Sequence, residues 1–446
     1  MALANWIVDG DPGFDIWAMD VARYGSFANL AYTHDKVIEN YGRRFRISFP
    51  NEELPAARPL RTSPLYERQK AQGACFGAGF GLEYALWFAR DGMEPVEQVS
   101  FRRSNAFGPI GDECRAVREA AGLLEITGYA KYEITGSGAE GFLSHILANK
   151  LPAQGKLALT PMLNEAGKII GDFTVAKAAD DRFYIFGSGA AETYHMRWFS
   201  QQMPKDGSVQ VRALSTLTGL SIAGPKARAI LAKLTDEDVS NAALPFMAFR
   251  EMDLGLIPAK VGRVSFTGDL GYEIWVEPDY LLKLHDSLSQ AGAEFGLKPI
   301  GTRALLSLRL EKNWGTWARE YRPIYSPLEA GLDRFVALKK NAFIGREAAA
   351  LEAKSGGNLR LVTFTVETQD VDVIGDEPIW HDGKVVGWIT SGGYAHWAQK
   401  SVAMGYVPKA LSDKDDGFEI EIIGERYKAR PQREALFDPQ GTRMRG

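Results

Sequence analysis

From about residue 122 to residue 300 the chain runs as short strand-like segments punctuated by glycine, with single helices set between them. Strands and helices do not alternate strictly, so an α+β fold is expected in place of a doubly wound parallel sheet. Residues 122–136 read as a strand pair, followed by a helix at 139–147 and strands near 157–163 and 169–177. Residues 111–122 and 301–313 read as helices. Earlier, Glu39 to Pro50 has strand-like alternation, and Asn51 to Pro64, with Pro55 and Pro59, reads as extended loop. Beyond the linker Ser355-Gly356-Gly357-Asn358, short strands alternate with turns such as Asp382-Gly383, the pattern of a small β-barrel or sandwich.

At 446 residues the chain has room for about three domains, and the breaks fall at 1–95, 96–354 and 355–446. A net charge of −4 gives no basic footprint for nucleic acid. Cys75 and Cys114 are far apart and lack a CxxC partner, which disfavours a disulfide scaffold and a thiolate zinc site. The six histidines form no HxxxH or HExxH pair, so no metal is expected. The first residues lack a basic n-region and a sustained apolar core, and no apolar run reaches membrane-spanning length, so neither signal peptide nor membrane span is expected. The cytoplasm is the default compartment. Gly77-Ala78-Gly79-Phe80-Gly81-Leu82 lacks the third glycine of a dinucleotide loop and reads as a glycine-rich turn. There is no P-loop and no GxSxG elbow.

Two segments carry chemistry. In Gly167 to Val175 a turn leads into a strand with one acid, and alternation puts Asp172 and Thr174 on one face, Phe173 and Val175 on the other. Between Ile170 and Phe173 an acid can hold a cationic amine or manage a proton; a solvent-facing strand acid is the bland alternative. In Gly262 to Trp275 a glycine-rich loop delivers Glu273 between Tyr272 and Ile274. A carboxylate there needs partners, which a polar heterocycle with N–H donors would supply; an outward-facing glutamate is the other reading.

These segments, with Glu113 to Arg118, Gly122 to Glu125, Ser307 to Glu311, Phe343 to Arg346 and Ile389 to Gly392, resemble the aminomethyltransferase family, the T-protein of the glycine cleavage system and its relatives. A closer resemblance is to the folate-binding half of dimethylglycine and sarcosine dehydrogenases. Leu159 to Glu165 and Ser326 to Leu332 look like that subgroup. Trp6 to Gly10, Asp15 to Trp17, Asp20, Arg23 and Arg58 to Tyr66 resemble the linker domain that follows their flavin domain, which has no counterpart motif here, so no FAD site is expected. The resemblance implies a three-part folate-binding fold with an N-terminal linker domain and a small C-terminal β-barrel. It makes Asp172 the catalytic acid and Glu273 the pterin ligand, with Phe266, Thr174, Leu163 and Tyr272 in the tetrahydrofolate site. Three positions depart from the family. Phe266 replaces a common tyrosine, Asp269 a longer glutamate, and Leu305 an arginine of glycine-cleavage T-proteins.

The expected function is tetrahydrofolate-dependent one-carbon transfer or demethylation of a small N-methylated metabolite of the methylamine, sarcosine or dimethylglycine type, forming methylene- or methyl-tetrahydrofolate. A separate flavoprotein or oxidoreductase is one route for supplying the one-carbon unit. Transfer of a methyl group from oxygen or sulfur is an alternative, as is a non-catalytic folate-binding subunit of a flavoprotein complex. In the loop 313–322, Trp314, Trp317 and Tyr321 are candidates to face a methylammonium, and Arg319 or Arg322 to hold a carboxylate. Core aromatics and surface arginines are the competing reading.

Overall fold

Antiparallel pairing between strands close in sequence builds most of the framework. The computed structural model describes residues 2–9 and 17–446; Gly10, Asp15 and Ile16 of the linker-domain resemblance lie outside these. The strands are β1 (Ala74–Gly79), β2 (Leu82–Phe88), β3 (Gly122–Glu125), β4 (Ala130–Thr135), β5 (Leu157–Leu163), β6 (Ile169–Ala179), β7 (Arg182–Gly187), β8 (Gln210–Ala213), β9 (Thr218–Ala223), β10 (Phe249–Leu254), β11 (Ile257–Gly262), β12 (Gly271–Val276) and β13 (Lys298–Pro299). The last six are β14 (Leu359–Val366), β15 (Pro378–His381), β16 (Lys384–Ala395), β17 (Lys400–Pro408), β18 (Phe418–Ile422) and β19 (Glu425–Gln432). They form a hairpin β1-β2, a five-stranded sheet β5-β6-β7-β4-β8, a six-stranded sheet β10-β11-β12-β9-β3-β13 and a closed barrel β14-β17-β16-β15-β18-β19. The fold is α+β, with the barrel at the C-terminal end.

Each large sheet buries one face against helices and turns the other toward its neighbour. Tyr132, Ile134, Phe173, Val175, Phe183 and Ile185 of the five-stranded sheet share one core with Phe142, Leu143 and Phe199. Tyr272, Ile274 and Val276 of the six-stranded sheet pack with the helix Pro278–Gly292 through Leu281, Leu284 and Leu288. The facing sides meet in a third core, where Phe186 stacks on Trp275 with ring centroids 4.9 Å apart. The helices Phe107–Glu119 and Thr302–Leu310 close this core from the side through Cys114, Val117, Ala304 and Leu308.

Two local expectations are corrected. Residues 122–136 hold two strands that do not pair: β3 joins β9 and β13, whereas β4 lies between β7 and β8. Leu123 and Leu124 are buried in different cores, so β3 is an interior strand with two apolar faces. Glu39 to Pro50 is not a strand. Its start belongs to the helix Leu30–Gly42, which Asn29 caps by accepting the Tyr32 N–H at 3.0 Å. The rest is turn and loop, and Phe45 and Ile47 are exposed because no neighbouring strand offers a ladder. Gly77 to Leu82 forms the β1-β2 turn, with Phe80 at φ 54° and Gly81 at φ 78°.

Candidate active site

A cavity of about 2060 Å³ opens where the two large sheets, the N-terminal segment, the loop 313–322 and the barrel meet. Asp172 and Thr174 line it from β6, as strand alternation requires once Phe173 and Val175 are in the core. Behind β6, His195 donates its Nε2 proton to the Ile170 carbonyl at 3.0 Å and packs on Phe173, which fixes the strand. A carbonyl only accepts, so Nδ1 carries no proton and is left to accept from the Tyr132 hydroxyl at 3.4 Å. Burial holds His195 neutral, with its pKa lowered to about 3.

Asp172 is half-buried, open to the cavity but shielded from bulk water, and its Oδ1 is buried with no protein partner. Burial raises its pKa from 3.8 to about 7; its own backbone N–H opposes the shift and the charge of Glu320 adds to it. Near neutrality this group can therefore both hold and release a proton.

Glu273 enters from β12, where it pairs with Ser221 of β9 and Gly262 of β11. Thr174, Phe186, Glu273 and Trp275 line one narrow internal gap, so the acid-bearing faces of the two sheets approach each other directly. Tyr272 points the other way, fully buried in the core of its own sheet and absent from the cavity wall. Gly268, at φ 85°, makes the preceding turn possible, since a Cβ there would lie 2.3 Å from the Lys312 side chain.

The Glu273 carboxylate has no hydrogen-bond partner among the described residues, and burial alone raises its pKa from 4.5 to about 8. An acid with a raised folded-state pKa binds its proton more tightly folded than unfolded. The stability it contributes is complete below about 4.5 and is lost as pH climbs to about 8. Glu273→Gln should therefore raise the melting temperature of the ligand-free protein at pH 8 and flatten its decline across that window. A wild-type slope in a pH series of thermal melts would contradict the assignment.

The aromatic loop supplies another wall. Phe266 stacks on Trp314 with centroids 5.6 Å apart, and both line the cavity with Trp317 and Tyr321. Trp317 also sits edge-on to Trp17 at 5.9 Å and to His195 at 5.5 Å. Arg319 and Arg322 do not line the cavity; Arg319 is exposed and Arg322 half-buried. The reason lies in Glu320 between them, which is drawn fully inward. Its carboxylate accepts from Arg309 at 3.3 Å, from the Thr390 hydroxyl at 2.7 Å and from Ser391, and its carbonyl accepts from Tyr406 at 2.7 Å. This network ties the loop to the barrel and explains the Thr390-Ser391-Gly392 motif. Leu163 is also off the wall, fully buried in the first core, while Leu305 lines the cavity.

A second buried cluster holds the parts together. Arg118 donates to the Thr267 carbonyl at 2.7 Å, to Glu311 at 2.6 Å and to Asp269, and lies 3.5 Å from the Phe437 ring centroid. Arg443 reaches the other side of Asp269 at 2.8 Å. The shorter acid at 269 is thus fully partnered. Glu311 also accepts the backbone N–H of Trp397 at 2.9 Å, which anchors the loop carrying that residue, although its indole is partly exposed. Neither Glu320 nor Lys131, a buried cavity residue on β4, is singled out by sequence pattern. Each sits where alternation or loop composition suggests a solvated charge.

The two-sheet body and the closed C-terminal barrel have the aminomethyltransferase fold. The GCVT N-terminal domain family matches residues 65–340, and the glycine cleavage T-protein C-terminal barrel domain matches 360–438. The chain belongs to this family. Residues 9–63 match the FAD dependent oxidoreductase central domain. Human mitochondrial dimethylglycine dehydrogenase is 36% identical over 447 residues, covering 99% of this chain and 52% of that protein. The 4-methylaminobutanoate oxidase (formaldehyde-forming) of Paenarthrobacter nicotinovorans is 31% identical over 447 residues, covering 100% of this chain and 54% of the oxidase. The chain thus spans about half the length of these relatives. The glycine cleavage system aminomethyltransferase T of Bartonella henselae has the same fold, with a TM-score of 0.74 and 24% identity over 85% of this chain and 99% of that one.

Proposed function

We propose that the chain is a tetrahydrofolate-dependent one-carbon transferase that takes its unit from a small N-methylated metabolite. The supporting observation is the pair of acids at one cavity: half-buried Asp172, whose Oδ1 is buried without a partner, and buried Glu273, whose carboxylate has no hydrogen-bond partner among the described residues. Buried carboxylates without partners are costly, and a reduced pterin offering N–H donors matches what they lack. Glu273 would accept pterin N–H groups, Thr174 and Phe186 would flank them, and the wall of Phe266 and Trp314 would exclude water. When bound, the folate supplies the nitrogen nucleophiles that accept the one-carbon unit. Asp172 takes up or returns a proton at those nitrogens and stabilises positive charge there. Trp314, Trp317 and Tyr321 present rings suited to a methylammonium.

The names of the two long relatives, a dehydrogenase and an oxidase, favour N-methyl substrates, and the match of residues 9–63 to the FAD dependent oxidoreductase central domain favours a flavin-dependent oxidoreductase as the source of the one-carbon unit. Apolar side chains exposed on the N-terminal segment, among them Leu3, Ile7, Leu30 and Phe45, give such a partner a surface to cover. No described helix is long and apolar enough to cross a membrane; Cys75 and Cys114 are unpaired thiols, in keeping with a cytoplasmic setting. The loss of a hydroxyl at Phe266 favours one second reading, transfer of an intact methyl group from oxygen or sulfur, which needs orientation more than acid–base help. Mass spectrometry of the folate product separates the readings. Methylene-tetrahydrofolate from sarcosine or dimethylglycine with an oxidoreductase supports the first, and methyl-tetrahydrofolate from an O- or S-methyl donor alone supports the second.

A further inference from the structure

Lys131 stands out among the groups the proposed chemistry leaves unused. On β4 its neighbours Ala130 and Tyr132 are core residues, so alternation turns Lys131 to the cavity, which it lines at 1% exposure. Its ammonium donates one hydrogen bond, to the Thr127 carbonyl at 2.7 Å, and has no carboxylate paired with it among the described residues. Glu125 and Glu192 act on it only at longer range. Its other two N–H donors have no hydrogen-bond partner among the described residues.

The sheet register places it. Lys131 is opposite Phe186, and Phe186 is opposite Thr174, so the three lie in one row across β4, β7 and β6. Two strand spacings put the Lys131 and Thr174 backbones about 10 Å apart, with Asp172 on the same face. Nζ lies 5.7 Å from the Trp275 ring, on the strand face that also carries Glu273. An amine at this position addresses the same chamber as both acids.

We propose that Lys131 is a covalent holding point for formaldehyde within the cavity, a role that rests on the one-carbon reading above. The Nζ lone pair attacks the carbonyl carbon, and the oxygen takes a proton to give a carbinolamine. Loss of water then leaves a methylene iminium on Nζ. An incoming secondary amine forms the new C–N bond as the iminium π pair returns to Nζ, its N–H proton passes to Nζ, and its nitrogen lone pair then expels the neutral Lys131 amine, leaving the methylene as an iminium on the acceptor nitrogen, so no oxidant or reductant is consumed. Burial supports this use, because it lowers the lysine pKa from 10.5 to about 8. At pH 7 about one amine in ten is then neutral, against roughly one in three thousand for a solvated lysine. One relative's name records formaldehyde as its product, which gives the carbonyl a source within this family.

The test is reductive trapping on the wild-type full chain, with equimolar formaldehyde, cyanoborohydride and peptide mapping. Methylation of Lys131 ahead of exposed lysines such as Lys384 supports the proposal, and labelled surface lysines beside an untouched Lys131 overturn it. Lys131→Arg keeps the charge and removes the nucleophile. With folate saturating, it should slow folate product formation from formaldehyde about 10²-fold, the scale of losing one participating group. An unchanged rate in this variant also overturns the role. Trapping at Lys131 in a chain that takes up no folate would sink the folate reading and leave the capture standing.

Discussion

Asp172→Asn should lower turnover about 10²- to 10⁴-fold, the span associated with removing a general acid–base, while tetrahydrofolate binding stays within a few-fold of wild type. The amide keeps the size of the carboxyl but cannot exchange a proton near neutrality. The strand around it does not depend on the acid, since the His195 bond to Ile170 and the packing of Phe173 fix β6 from behind. Stability should not fall either. The folded-state pKa of Asp172 is raised from 3.8 to about 7, so the stability it contributes is present below about 3.8 and lost as pH rises to about 7. At pH 7 the variant should melt at or above the wild-type temperature, which separates lost chemistry from lost fold. Wild-type turnover in this variant would make the protein a folate-binding subunit without catalysis at Asp172.

Arg118→Ala should cost about 3–5 kcal/mol of stability, the range for breaking a buried ion cluster from one side. The guanidinium is fully buried against Asp269 and Glu311, and its loss leaves two acids without their main cation. The cluster joins the helix Phe107–Glu119, the loop before β12, the loop 397–398 and the C-terminal tail, so several parts of the cavity wall loosen together. Denaturant unfolding at neutral pH reads the loss directly. The deficit should shrink as pH falls, because an orphaned carboxylate that protonates no longer needs its partner. A loss under about 1 kcal/mol would show that the barrel and sheets hold together without this cluster.

The α+β class was legible because strand alternation is a strong local signal, whereas pattern alone left open whether Asp172 and Glu273 face solvent. Asp172 and Thr174 face the cavity for the same reason that Phe173 and Val175 face the core. Pairing partners were harder. Residues 122–136 look like one hairpin, but the choice that sends β3 and β4 into different sheets is made by distant strands β9 and β7. Phe45, Ile47 and Phe49 alternate as a strand would, yet no ladder is offered to them. Alternation also misleads about charge. Lys131 and Glu320 have the local pattern of solvated residues, and only tertiary packing shows that one lines an interior chamber and the other anchors the barrel. Tyr272 and Leu163 fall in cores for the converse reason: Tyr272 adjoins Glu273 in sequence but its side chain takes the opposite face, and Leu163 sits at the β5-β6 hairpin end.

The most direct measurement is calorimetric titration of tetrahydrofolate into the full chain, run in parallel on Glu273→Gln. A reduced pterin held by the buried carboxylate should give saturable uptake by the wild type and roughly 10- to 100-fold weaker uptake by the variant, the range for losing charge-assisted hydrogen bonds. Absence of heat with the wild type, or equal affinity in both proteins, would contradict a folate site built on Glu273 and Asp172.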